Sequence, residues 1–154
     1  MPDPNYTTTI SVNQNPAIVF EAITNVRGWW SEGIEGQADK IGKTFTHRYM
    51  DVHRCELTVK NLVPGEKVVW TVLDNYFSFT EDETEWVGND IIFEISRAGD
   101  KTEIKFTQVG LVPDCECYAL CTAGWHSLIN GSLRELIAKE QRQPYLPETT
   151  AEAW

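Results

Sequence analysis

Three histidines, four cysteines and an excess of carboxylates carry the reactive side chains of this sequence, and their spacing limits what each can do. His47 lies in "TFTHRYM", where alternation puts Phe45, His47 and Tyr49 on one strand face and Thr44, Thr46 and Arg48 on the other. An imidazole facing inward among aromatic rings can act as a general base or hydrogen-bond a ligand. A working base also needs a partner that orients it and a group placed to receive attack. Neither is evident near His47, because Arg48 and Asp51 project from other faces or beyond the strand. His47 is therefore expected to modulate binding and not to catalyse. His53, beside Asp51 and Arg54 at a strand connection, is expected at the surface, and His126, next to Trp125, at a helix edge.

The cysteines Cys115, Cys117 and Cys121 stand as C-x-C-x3-C, which lacks the paired C-x2-C spacing of structural zinc sites, with no histidine nearer than His126. These thiols are expected to be reduced and metal-free. Carboxylates are plentiful, yet no pair sits on an evident apolar face where one pKa would be forced upward for acid catalysis. No Gly-rich phosphate loop, H-E-x-x-H or G-x-S-x-G motif is present. An enzyme is thus the weaker expectation, and no cofactor is indicated.

The charge balance narrows the partners. Thirteen basic against 23 acidic residues give a net charge of −10, a sign that repels nucleic acid and anionic membrane. The densest acidic run, "TEDETEW" from Thr80 to Trp86, reads as a solvated loop. No apolar stretch approaches the roughly 20 residues of a membrane span, and the start "MPDPNYTT" has no signal-peptide pattern, so a cytoplasmic protein with free thiols is expected.

These side chains must be positioned by elements whose periods are legible. A length of 154 residues suits a single domain, with a core over about 7–140 and a non-periodic tail over 141–154. "TTTISV" is a β-branched strand. In "NQNPAIVFEAIT", Asn15 is placed to cap a helix with Pro16 at its first position, and "NVRGWW" adds another turn. The alternation of Phe45, His47 and Tyr49 resumes at Cys55, Leu57 and Val59, and "VPGE" turns the chain into "KVVWTV". A second hairpin sets Ile91, Phe93 and Ile95 on one face, turns through Ala98-Gly99-Asp100, and returns with Ile104, Phe106 and Gln108 inward. After Pro113 the period becomes helical, with Tyr118, Cys121, Trp125, Leu128, Ile129, Leu133, Leu136 and Ile137 in one stripe.

The order predicts an α+β fold: a curved antiparallel sheet wrapped around a long C-terminal helix, with two short helices after the first strand. Gly124 and Gly131 interrupt that helix, each at a cost of roughly 0.5–1 kcal/mol relative to alanine. They either allow close packing or a bend, or leave space for a ligand between sheet and helix.

The succession "PAIVFEAIT…WW", "IGKTF", "VPGEKVVWTV", "KTEIKFTQVGL" and "GWHSLINGSLRELI" resembles the SRPBCC superfamily, the START-like helix-grip fold of the birch-pollen allergen. Within it, the chain is similar to the group named after the activator of the ninety-kilodalton heat-shock protein ATPase. The resemblance runs from about Thr7 to Ile137 and implies a hydrophobic cavity between sheet and helix. It does not imply one activity, since such families include ligand carriers, cyclases, co-chaperone domains and stress proteins.

The expected function is binding of a small hydrophobic or aromatic ligand without catalysis. The expected lining comprises Phe45, His47, Tyr49, Leu57, Trp70, Phe93, Phe106, Gln108, Trp125 and Leu128, an aromatic wall with a few polar groups. A module directed at a heat-shock chaperone is the alternative the resemblance implies, and a cyclase or hydrolase using the same cavity is the third. Either a monomer or a homodimer is compatible with the sequence.

Overall fold

The structure, a computed structural model, describes residues 5–30, 33–81 and 83–142. The expected tail falls outside the described residues from residue 143 onward.

Strand β1 (Tyr6–Val12) leads to helix α1 (Pro16–Thr24), and the side chain of Asn15 accepts from Ile18 N at 3.0 Å, as a capping residue should. Val19, Ala22 and Ile23 face the core from α1, and a one-turn helix, α2 (Val26–Trp29), follows and buries Trp29. The remaining strands are β2 (Ile34–Gly36), β3 (Thr44–Tyr49), β4 (His53–Val63), β5 (Lys67–Phe77), β6 (Asp90–Ala98) and β7 (Lys101–Val109). They form one sheet of seven strands in the order β1-β7-β6-β5-β4-β3-β2, every neighbouring pair antiparallel.

Two register shifts between β4 and β5, at Glu56/Leu57 and Val59/Asn61, strengthen the local twist and help curl the sheet. The long C-terminal helix lies in that curl. It runs as α3 (Tyr118–Ser127), a π-helical stretch Leu128–Leu133, and α4 (Arg134–Arg142). The expected stripe is the face it turns to the core: Cys121, Trp125, Ile129, Leu133, Leu136 and Ile137 are buried. This is the α+β helix-grip architecture the sequence predicts.

An aromatic column fills the space between sheet and helix. Trp70 lies edge-on to Phe45 and Phe93 at 5.0 Å each, and Phe106 contacts both Phe93 (5.2 Å) and Trp125 (4.7 Å). Five indoles are linked ring to ring: Trp29 and Trp70 meet Trp30 at 6.2 and 6.1 Å, Trp30 meets Trp125 at 5.1 Å, and Trp125 stacks on Trp86 at 5.8 Å.

Gly36, against the Thr44 backbone carbonyl, and Gly110 are both demanded by close approaches. Gly110, just after β7, has φ +106°, and a Cβ there would lie 2.4 Å from the Asn89 amide. The same Asn89 amide accepts from Gln108 Nε2 at 2.9 Å.

The two helix glycines behave differently from a packing device. A Cβ at Gly124 or at Gly131 would meet nothing within 4 Å, which removes close packing as their reason. Gly131 lies in the π-helical stretch, and Gly124 borders open space.

Candidate functional site

A cleft of about 770 Å³ opens where the N-terminal half of the long helix meets the β3–β4 end of the sheet. Its walls are almost wholly apolar. The strands contribute His47 and Tyr49 from β3, His53 from β4 and Phe77 from β5. The helix contributes Leu120, Cys121, Gly124, Trp125 and Leu128. Trp30, Val52, Ser78, Phe79 and Trp86 also line it, and among the described residues no Lys, Arg, Asp or Glu does.

Of the residues expected to line a ligand site, the structure brings His47, Tyr49, Trp125 and Leu128 to this cleft. Phe45, Leu57, Trp70, Phe93, Phe106 and Gln108 lie deeper, fully buried in the packed column, and are not part of its lining. Alternation had put them on the correct face of the sheet, but their own rings fill that part of the interior. Gln108 has a packing role instead: its Oε1 accepts from Trp125 Nε1 at 2.8 Å while its Nε2 donates to Asn89. The amide thus fixes the plane of the indole that forms the cleft floor.

His53 departs from expectation. Placed at the surface by its charged neighbours, it pairs across the sheet with Tyr49 and continues inward the alternation of Cys55, Leu57 and Val59. Extending that alternation one step back past Arg54 would have found it. Its ring stacks on Phe77 at 4.5 Å, meets Trp86 edge-on at 4.9 Å and His47 at 5.2 Å. His47 in turn stacks face to face with Trp30 at 4.7 Å. Burial, with the neighbouring His53 adding to it, lowers the His47 pKa to about 4, and burial lowers that of His53 to about 4 against the opposing bond to Asn75. Both rings are neutral at neutral pH. His126 is exposed on the helix and contacts Asn130 at 3.2 Å.

The acidic connection between β5 and β6 also departs from a merely solvated loop. Trp86 is buried and stacks parallel to Trp125, closing one side of the cleft. Next to it, the Glu85 carboxylate accepts from Glu116 N at 2.7 Å and Cys117 N at 3.0 Å. These are donors that the start of α3 leaves unsatisfied, and a carboxylate there also complements the helix dipole. Glu116 returns the contact by accepting from Glu81 N at 3.0 Å. The acidic run is therefore a strap latched to the helix start.

Among the described residues no group of three or more His, Cys, Asp or Glu side chains is arranged to hold a metal ion. Cys55, Cys115, Cys117 and Cys121 are free thiols. Contact with Cys117 and burial push the Cys121 thiol well above its usual range, so it forms an apolar patch of wall. No helix among the described residues is long and apolar enough to cross a membrane.

Known structures share this architecture. The solution structure of the Aha1 dimer from Colwellia psychrerythraea superposes with a TM-score of 0.70 at 23% identity, over 86% of this chain and 95% of that one. Protein MLL2253 from Mesorhizobium loti gives 0.68 at 15% identity, over 87% of this chain and 98% of that one. DynU16, from the dynemicin biosynthetic locus, gives 0.64 at 16% identity over 89% of this chain, which spans 48% of that longer one. No curated protein matches the chain in sequence. The model of the family described as Activator of Hsp90 ATPase homolog 1-like protein matches residues 13–138. With that match across most of its length and a helix-grip fold to accompany it, the chain belongs to the Activator of Hsp90 ATPase homolog 1-like family of the SRPBCC superfamily.

Proposed function

We propose that the chain acts as a single domain that binds a small hydrophobic or aromatic molecule in the cleft between sheet and helix, without chemistry on it. One observation carries this: an aromatic cleft of about 770 Å³ bordered by a helix glycine whose missing side chain leaves the space open. Pockets of this size and lining suit apolar ligands held by a few polar groups. Binding without turnover is supported by the surroundings of the two cleft histidines. His53 is oriented by an amide, not by a carboxylate that would stabilise its imidazolium, and burial disfavours the charged form of both rings. A cytoplasmic setting agrees with four free thiols.

A second function, contact with a heat-shock chaperone or with another copy of the chain, is favoured by the cleft mouth. Tyr49, Val52, Phe79 and Leu120 form an exposed apolar rim there, of the kind that marks interaction sites. The deciding experiment titrates the protein with the neutral dye Nile red. Saturable, equimolar binding that weakens roughly twentyfold when Gly124→Leu narrows the cleft supports the ligand site. Absence of binding, or binding untouched by Gly124→Leu, overturns it in favour of the rim as a protein contact.

A further inference from the structure

His53 is a cleft side chain whose hydrogen-bonding sense is fixed by its surroundings. Asn75 is buried, and its Nδ2 donates to the Glu83 backbone carbonyl at 3.1 Å. A carbonyl can only accept, so the amide nitrogen must lie on that side and the amide oxygen on the other. That oxygen is 3.0 Å from His53 Nε2, which must then be the donor. In a neutral imidazole, a proton on Nε2 leaves Nδ1 as an acceptor. Burial keeps the ring neutral, so the assignment holds at neutral pH.

We infer that His53 is the specificity-determining acceptor of the cleft, selecting neutral aromatic molecules that carry a hydroxyl or N–H donor over equally apolar molecules that lack one. This rests on the ligand-binding function proposed above and names the ligand class. Two further observations agree. Among the described residues no charged side chain lines the cleft, so these walls offer an ionic ligand no partner for its charge. Trp86, which faces the same space, has a buried indole N–H that meets the Cys121 thiol, a weak acceptor that a ligand oxygen would better. Tyr49 and Ser78 are exposed hydroxyls at the mouth that can donate or accept, and they impose no such sense.

The test compares β-naphthol with its methyl ether, which has the same ring system but no donor, by fluorescence titration of the wild-type chain and of His53→Phe. The ratio of the two dissociation constants isolates the hydrogen bond from apolar burial. A net neutral hydrogen bond predicts that the preference for the naphthol is about 2- to 12-fold greater in the wild type than in His53→Phe. An equal ratio in both proteins overturns the inference while leaving the cleft a ligand site. Failure of the wild type to bind either probe overturns the ligand site itself. Nitrogen NMR of the wild-type imidazoles gives a check that needs no folded variant: a proton on His53 Nε2 and none on Nδ1 is expected, and the opposite tautomer overturns the inference.

Discussion

Replacing Gly124 turns the geometry of the helix into numbers. A Cβ at this position meets nothing within 4 Å, so Gly124→Ala should gain the helical preference of alanine without a clash, about 1 kcal/mol. For a chain of this size that raises the melting temperature by roughly 2–4 °C. Gly124→Leu carries the same helical gain and projects a branched side chain into the cleft. If that side chain takes ~70 Å² of apolar contact from an occupant, at ~25 cal/mol per Å² the loss is about 1.8 kcal/mol, roughly twentyfold in affinity. Stability and binding should therefore move in opposite directions, which distinguishes a filled site from a damaged fold. Gly131→Ala is the control: it shares the open surroundings but does not line the cleft, and it should leave dye affinity within about twofold. Thermal melts followed by circular dichroism, with Nile red titrations on the same samples, give both quantities. A stable Gly124→Leu that binds dye as tightly as wild type, or a Gly124→Ala that melts lower, would refute the reasoning.

Three further outcomes follow from the site. Glu85→Ala removes the acceptor for two backbone N–H groups at the start of α3 and should cost about 1–2 kcal/mol, while Glu85→Gln, which keeps an oxygen but loses the charge, should cost about half as much. Both should also speed dye release in stopped-flow, because the strap carries Trp86; unchanged melting and release would mean that the latch is only incidental. With His47 and His53 at about 4 in the folded state and ordinary histidines at 6.5 when unfolded, the unfolded chain binds more protons between these values. Stability should thus be fully present above pH ~6.5 and fall toward pH ~4, by up to about 3 kcal/mol per ring, and denaturant midpoints of His53→Phe should show a shallower slope than wild type over that window. An identical slope in the variant would assign the pH response elsewhere. Finally, Ellman titration should find Cys55, Cys117 and Cys121 silent in the folded protein, since all three are buried, burial raises the Cys55 thiol, and contact with Cys117 together with burial raises that of Cys121, whereas half-buried Cys115 should react first. Stoichiometric zinc by elemental analysis would contradict the reduced, metal-free state.

The sequence showed most clearly what local rules determine. The Asn15–Pro16 helix start, the turn at Gly65, the two hairpins and the stripe from Cys121 to Ile137 each follow from capping, turn chemistry or period, and each stands in the structure. Alternation also identified the inward side chains of β3, β6 and β7, but it specifies a face and not a depth along it. Phe45, Phe93 and Phe106 therefore shared a pattern with His47 and Tyr49, although the first three seal the interior and the other two meet the cleft. His53 was hidden by the turn before it, where Met50 takes an uncommon positive φ of 49° and the charged neighbours Asp51 and Arg54 flank the ring. The role of Glu85 and Trp86 could not be read locally at all. Their partners, Cys117 and Trp125, lie more than thirty residues further along the chain, and only the tertiary fold brings them together.

The linked indoles make the molecule its own optical reporter. Trp29, Trp70, Trp30, Trp125 and Trp86 form an unbroken series with neighbouring ring centres 5.1–6.5 Å apart. At such spacing the excited states of adjacent indoles couple, and light absorbed by a deeply buried ring can migrate along the series to those bordering the cleft. An occupant that accepts this energy would quench emission from rings it never touches, so the loss of fluorescence on binding should exceed what its direct contacts explain. Trp86 and Trp125, inclined by only 13°, form the terminal coupled pair. Lifting the strap would separate that pair and change the near-ultraviolet dichroism, so opening of the cleft becomes visible without any attached label.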